Sequence, residues 1–317
     1  MELIYILTYD CNFRCKYCDV YKHKNSISQE IINQSLLFLE QNNFIIEKVK
    51  FFGGEPLLKK KFIKDIIKNF PKKYNPNFYI TTNTTLVDEN FIIFSKENNI
   101  NLTFSIDGDL DILGENRILE NGFNSGELII KNTKKYADFV RVNQVITSKN
   151  SKTFFKNFKF IYDLGVRKFN FLPAYYEEWS KEGFINLKNG FEEVFNFYKS
   201  GNHFKLVNLE NYSDVSFFNL GLVIDTDGII YGTNLILSGK FEMYKNQLKI
   251  GDIFNGLKFD FNDHIFVESY LILIGDILKK EYTSLVLKSV KYVDLILNNF
   301  CDDFYKTYGV KYMKSLQ

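Results

Sequence analysis

Three of the four cysteines in this 317-residue chain fall in one short run, Cys11-Asn12-Phe13-Arg14-Cys15-Lys16-Tyr17-Cys18. Thiolates spaced C-x3-C-x2-C on one loop can each take one iron of a cubane cluster, leaving the fourth iron without a protein ligand. An amine and a carboxylate from a small molecule can chelate that open iron. The same thiols also suit a zinc site completed by His23, Cys301 or another distant group. Cysteines so few and so clustered point to metal rather than to disulfides. Cys301 stands alone near the C-terminus. It is expected to be a small buried hydrophobe, and a thiol there is also a candidate late hydrogen donor.

A second segment with chemical potential is Phe52-Gly53-Gly54-Glu55-Pro56. Paired glycines let a backbone approach a ligand closely, and a carboxylate pairs with an ammonium group. Alone, Gly-Gly before a helix is only a turn. Two further polar runs, Thr81-Thr82-Asn83-Thr84-Thr85-Leu86 and Phe104-Ser105-Ile106-Asp107-Gly108, sit at the ends of expected strands.

Taken together, these motifs resemble the signature of the radical S-adenosylmethionine (SAM) superfamily. The cysteine run matches C-x3-C-x-aromatic-C, with Tyr17 as the aromatic, and Gly53-Gly54-Glu55-Pro56 matches the GGEP motif. The later runs resemble the TNGTL and SIDG segments of anaerobic sulfatase-maturating enzymes and their peptide-modifying relatives. The resemblance implies a [4Fe–4S] cluster on Cys11, Cys15 and Cys18, with SAM held on its open iron. Cleavage of SAM would give a 5′-deoxyadenosyl radical that abstracts hydrogen, the hard chemistry belonging to the cofactor. It also implies cofactor-facing roles for Tyr17, Gly53, Gly54, Glu55, Asn83, Ser105 and Asp107, with Ser105 on the SAM carboxylate. Arg141 and Asn143 share one face of the fifth expected strand and Asn170 lies on the sixth; by resemblance these approach SAM or substrate. Thr84 stands where the family has glycine, so the turn after Asn83 is expected to differ. Arg117 matches the arginine that closes the longer SIDG pattern, though the histidine of that pattern is absent. It reads equally as a surface loop residue.

The elements that must carry these residues follow from the hydrophobic pattern. Strands are expected at Glu2–Thr8, Lys48–Gly53, Asn77–Asn83, Asn101–Asp107, Phe139–Thr147 and Lys168–Pro173. Helices are expected near 28–41, 60–69, 88–97, 126–136 and 152–163. Ser26 and Gln29 form a capping box for the first helix, and Ile32, Leu36 and Leu39 give it an apolar stripe. Alternation of strand and helix implies a parallel sheet with right-handed crossovers. Tyr79, Thr81 and Asn83 share one strand face, as do Thr103, Ser105 and Asp107. A closed eight-stranded barrel fills its centre with aliphatic side chains; a polar inner face suits a wider, partial (β/α)6 TIM-like barrel with a ligand inside.

Past residue 205 the rhythm changes, which places a barrel at 1–205 and a second region at 206–317. The run Leu220 to Tyr231 reads as a hairpin around Asp227-Gly228, and the chain from about 265 onward reads as helical. This region resembles a degenerate SPASM or twitch domain: Thr233 occupies the expected cysteine position, and no auxiliary-cluster cysteines follow. The resemblance is strong over 1–172, weak over 220–255 and absent from 265.

A formal charge of +2 gives no global reason to expect nucleic acid or an anionic membrane. The N-terminus lacks the pattern of a signal peptide, and no run is apolar for long enough to span a bilayer. A cytoplasmic enzyme is the resulting expectation. The resemblance implies a peptide or protein substrate and a flavodoxin- or ferredoxin-type electron donor. A small metabolite (sugar, amino acid or nucleotide) stays open as substrate, and from another class so does a non-catalytic iron–sulfur or zinc module. Catalytic side chains are not identifiable at this level.

Overall fold

A computed structural model describes residues 1–211, 220–258 and 263–314. Among the described residues eleven strands form one mixed sheet. These are β1 (Glu2–Thr8), β2 (Lys48–Gly53), β3 (Asn77–Thr82), β4 (Asn101–Ser105), β5 (Arg141–Ile146), β6 (Lys168–Pro173), β7 (Lys205–Leu206), β8 (Leu220–Ile224), β9 (Ile229–Thr233), β10 (Lys249–Asp252) and β11 (Gly256–Leu257). The helices are α1 (Gln29–Gln41), α2 (Lys60–Asn69), α3 (Glu89–Glu97), α4 (Leu110–Asn116), α5 (Gly126–Tyr136), α6 (Phe154–Asp163), α7 (Lys181–Lys199), α8 (Lys245–Leu248), α9 (His264–Glu281) and α10 (Ser284–Lys314).

Strands β1 to β7 are parallel and neighbour one another in chain order. The first six, with the helices between them, are the expected partial barrel. On its other side β1 pairs in parallel with β8, and β9, β10 and β11 continue antiparallel. The hairpin therefore belongs to the same sheet as the barrel. The order ends at β11 and β7, so among the described residues the sheet does not close.

The strands separate their faces as the sequence pattern required. On β5, Val142, Gln144 and Ile146 are buried beneath helices, while Arg141, Asn143 and Val145 are only half-buried. The same alternation runs through β2 and β6, and Phe104 and Ile106 at the end of β4 are fully covered. Outward-facing apolar residues make the core, and the inward face keeps contact with solvent. Phenylalanines seal the far side. Phe158 packs edge-on against Phe169, Phe171 and Phe204, and Phe300 of α10 stacks on Phe191 of α7 at 4.5 Å. Each such buried ring contributes about 2–3 kcal/mol of apolar transfer.

Local details depart from the sequence reading. The cap of α1 is Ser28, whose hydroxyl accepts from Ile31 N at 3.2 Å. Ser26 instead bonds to Thr8 Oγ1 at 2.7 Å and does not form the expected capping box. Strand β3 stops at Thr82, β4 at Ser105, and β5 runs only from Arg141 to Ile146, because the polar ends leave the sheet to make loops. Helix α7 was not expected: Gly183 and Gly190 weaken its intrinsic preference, and packing against α10 outweighs them. Among the described residues no helix is long and apolar enough to cross a membrane.

Candidate active site

The cysteine loop leaves β1 and lies against the segment that follows α4. Arg14 N donates to Ile118 O at 2.7 Å, Lys16 N to Asn116 O at 3.1 Å, and Glu120 N to Asn12 O at 2.9 Å. The Arg14 guanidinium donates to the Cys11 and Phe13 carbonyls and pairs with Glu120. Cys11 is buried; Cys15 and Cys18 are half-buried. Burial pushes the Cys11 thiol up to about 12, and Glu55, Cys15 and Cys18 push the same way. Burial also raises Cys15, against the opposing charge of Arg117. Metal binding must displace these protons.

The donor set fits a cluster better than a single ion. The thiols are near enough to act on one another's protonation. His23 stacks on Tyr9 at 4.2 Å, and Cys301 is buried on α10. A zinc site needs four donors converging on one metal; a cubane needs one thiolate per iron.

Gly53 and Gly54 bring the end of β2 close to the cysteine loop. Gly53 has φ +132°, and a Cβ on it would stand 2.1 Å from Thr8 O. A Cβ on Gly54 would stand 2.3 Å from Asp10 O. Without side chains, the end of β2 bonds directly to the cysteine loop: Gly54 N donates to Thr8 O at 2.8 Å and Glu55 N to Asp10 O at 2.9 Å. Glu55 is buried. Its Oε1 accepts from Leu57 N and Thr82 Oγ1, and its Oε2 from Asn83 N at 2.8 Å. Burial raises its carboxyl above the ordinary range, those three donors holding it back. Oε2 has one protein donor and keeps capacity for another.

Asn83 donates to Asn12 Oδ1 at 2.7 Å and accepts from Thr85. It thus ties the loop after β3 to the cysteine loop. Thr84 takes the left-handed conformation, φ 75°, that glycine would adopt freely. The turn is made despite the substitution, at the expense of strain in a buried β-branched residue.

Asp107 is the most heavily bonded side chain near the loop. Its carboxylate accepts from Tyr17 Oη at 2.8 Å, from Arg117 Nε at 3.0 Å and NH2 at 2.9 Å, and from Val145 N at 3.1 Å. Arg117 is only 4% exposed, so the surface-loop reading of it is corrected. Its guanidinium also stacks 5.5 Å from the Tyr17 ring centroid. Asp107 therefore positions the loop through Tyr17.

The inner face of the barrel carries the other expected residues at two heights. Ser105 pairs in register with Asn143, and Asn143 with Asn170. Asn170 Nδ2 donates to Asn143 Oδ1 at 2.9 Å, while the Ser105 hydroxyl has no partner among the described residues. Arg141 lies one layer lower, in register with Thr103 at the start of β5. There it pairs with Glu210 and donates to Asn101 Oδ1 at 2.6 Å. Lys205 meets the same Glu210 at 2.5 Å. Arg141 is thus held in an ionic floor, while Ser105, Asn143 and Asn170 sit on the layer nearer the cysteine loop.

Three contributors escaped the sequence reading. Tyr9 Oη donates to Asp225 Oδ2 at 2.9 Å, and Lys245 Nζ reaches Tyr9 Oη at 3.0 Å. This buried network joins the hairpin turn to the residue two before Cys11. Lys22 Nζ lies 3.2 Å from Cys18 Sγ. Thr233, where the hairpin was expected to carry a cysteine, is buried and caps the following turn by accepting from Leu235 N at 3.3 Å. A cleft of about 290 Å³ opens beside Tyr17, between Asn116, Thr147, Lys149 and Glu177.

Comparison with known proteins bears on this geometry. The family model of the Radical SAM superfamily matches residues 5–166. A cysteine-type anaerobic sulfatase-maturating enzyme of Clostridium novyi is 31% identical over 184 residues, 52% of this chain and 48% of that enzyme. The matched stretch is thus about half the length of that relative. Among solved structures, histidine-tagged anSMEcpe with bound AdoMet superposes with a TM-score of 0.71 at 19% identity, covering 95% of this chain and 98% of that one. Streptococcus suis SuiB bound to the precursor peptide SuiA gives 0.58 at 16% identity, covering 84% and 66%. At such identities these likenesses speak to the fold.

Proposed function

The chain belongs to the radical SAM superfamily, whose members use a [4Fe–4S] cluster and SAM, and from that premise we propose that it modifies a peptide or protein substrate. The observation that carries the reading is the cysteine loop bonded to the end of β2 beside an open, polar barrel interior. Cys11, Cys15 and Cys18 hold the cluster, each giving up its thiol proton. When bound, the cluster and SAM supply a 5′-deoxyadenosyl radical able to take hydrogen from an unactivated C–H bond. Glu55, with capacity left on Oε2, would hold the SAM ammonium, and the Ser105 hydroxyl, without a partner among the described residues, would hold its carboxylate. Gly53, Gly54, Asn83, Tyr17 and Asp107 keep the loop in place around them. Asn143 and Asn170 present amides to whatever enters the interior, and Arg141 acts from the floor beneath.

Support for a peptide substrate comes from the sulfatase-maturating enzyme that shares 31% of residues over the matched stretch and from the peptide-bound SuiB of similar fold. The region 206–317 adds the hairpin and two long helices, and a flavodoxin- or ferredoxin-type protein delivers the electron. Anaerobic reconstitution with iron and sulfide, then dithionite and SAM, should release 5′-deoxyadenosine from wild type and none from Cys15→Ala. A mass change in an added peptide carries the substrate claim. A small-molecule product with the peptide untouched overturns it, and zinc in place of iron overturns the whole reading.

A further inference from the structure

Lys22 is an ammonium group aimed at a cluster ligand. Its Nζ lies 3.2 Å from Cys18 Sγ and 3.4 Å from Val20 O. The backbone that carries it is pinned. Val20 forms a bridge with Ser238, Tyr21 N donates to Leu237 O at 2.8 Å, and Gly239 N to Asp19 O at 3.3 Å. The segment after β9 thus fixes where Lys22 begins, and its side chain folds back over the loop.

Four other cations around the loop are committed elsewhere. Arg117 is bonded twice to Asp107, Arg14 to Glu120, Lys24 to Asp10, and Lys245 to Asp225 and Glu242. Lys22 has no carboxylate within ion-pair distance among the described residues. Asp19 feels its charge, but that carboxyl is raised by burial and bonded to Tyr282. The Lys22 charge is therefore directed at sulfur.

Hydrogen bonds to cluster sulfurs and nearby charge set reduction potential. Reduction adds one negative charge, so a cation beside a ligand sulfur stabilises the reduced form and raises the potential. We propose that Lys22 donates a charged hydrogen bond to the Cys18 sulfur and sets how readily the cluster accepts its electron. This rests on the reading that Cys11, Cys15 and Cys18 hold the cluster. Lys22 is a positioning and tuning residue; it touches the ligand, not the reacting carbon.

The test is a redox titration of the full-length reconstituted protein, followed by the EPR signal of the reduced cluster. Wild type is compared with Lys22→Met, Lys22→Gln and Lys22→Arg. Lys22→Met is expected at a more negative midpoint than wild type. Lys22→Gln, which keeps a donor without the charge, should fall between, and Lys22→Arg should stay nearest wild type. Equal midpoints for wild type and Lys22→Met, with iron content equal, overturn the proposal while leaving the cluster assignment intact. No iron and no EPR signal in wild type fails the cluster assignment instead. If both neutral variants lose iron although the apo-proteins melt as wild type does, Lys22 retains the cluster rather than tuning it, and the proposal is again overturned.

Discussion

Tyr17, the residue before the third cysteine, donates its phenolic hydrogen to Asp107 Oδ2 at 2.8 Å. Through that bond a side chain just past the end of β4 governs the loop that follows β1. Asp107 also receives two bonds from the buried Arg117. Removing one partner of a buried pair leaves an uncompensated charge and costs about 3–5 kcal/mol. Losing one neutral hydrogen bond costs about 1 kcal/mol. Asp107→Ala is therefore expected to destabilise far more than Tyr17→Phe in urea unfolding, and to lower iron loading. Similar unfolding midpoints for the two would contradict the hub role.

Thr84 supplies a test of stored strain. It holds φ 75° while fully buried, with a hydroxyl that finds no partner among the described residues. Left-handed geometry in such a residue costs about 1–3 kcal/mol. Glycine relieves the strain and the orphaned hydroxyl, offset by unfolded-state entropy of about 0.5–1 kcal/mol. Thr84→Gly should raise stability by about 1 kcal/mol, seen as a melting point higher by a few degrees. A lower melting point would mean that the buried methyl outweighs the strain.

Much of this was legible beforehand, and the gaps have physical causes. Cysteine spacing is local, and the run Leu3 to Leu7 is apolar enough to announce a strand. The first helix was placed correctly, but its cap was misassigned because Ser26 and Ser28 are both competent caps, and only the fold decides which is taken up by Thr8. The burial of Arg117 depends on Asp107 and Tyr17 meeting across separate loops. Tyr9 and Asp225 lie 216 residues apart, and no periodicity links them. Lys22 carries no sequence signal, because only the segment after β9 fixes its backbone beside Cys18.

The floor of the barrel predicts a pH dependence. Burial pushes the Glu210 carboxyl up, but the Lys205 hydrogen bond and the Arg141 charge outweigh it and leave it below its ordinary 4.5. A depressed carboxylate contributes stability above its unfolded value and loses it as pH falls through the folded one. Wild type should exceed Glu210→Gln in urea midpoint most at about pH 7, and the gap should close as pH falls below about 4. A gap that does not change with pH would assign Glu210 a purely steric role.

Gly54 tests how tightly the loop and β2 must meet. A methyl group there would stand 2.3 Å from Asp10 O and 2.7 Å from Tyr9 O. Backbone cannot yield as a flexible side chain does, so the loop must shift. Gly54→Ala should bind clearly less than the about four irons per chain of a complete cluster and unfold earlier. Gly275→Ala, with nothing within 4 Å of its Cβ, is the control for an added methyl that meets no backbone. Full iron loading in Gly54→Ala would show that the loop tolerates displacement.

Cys301 can be separated from the chemistry in the same way. It is 1% exposed on α10, and burial, with Asp302 and Asp294 adding to it, pushes its thiol up to about 12. At neutral pH it is therefore a protonated, packed side chain. Its helix face is held by Phe300 and Phe304, which pack on Phe191 of α7 and Tyr198, on the outer side of the sheet. Cys301→Ala removes one buried heavy atom and should cost about 1 kcal/mol. The yield of 5′-deoxyadenosine and of modified product should be unchanged. A product yield that falls while nucleoside release persists would place this thiol after the radical step, as the hydrogen donor that completes the reaction.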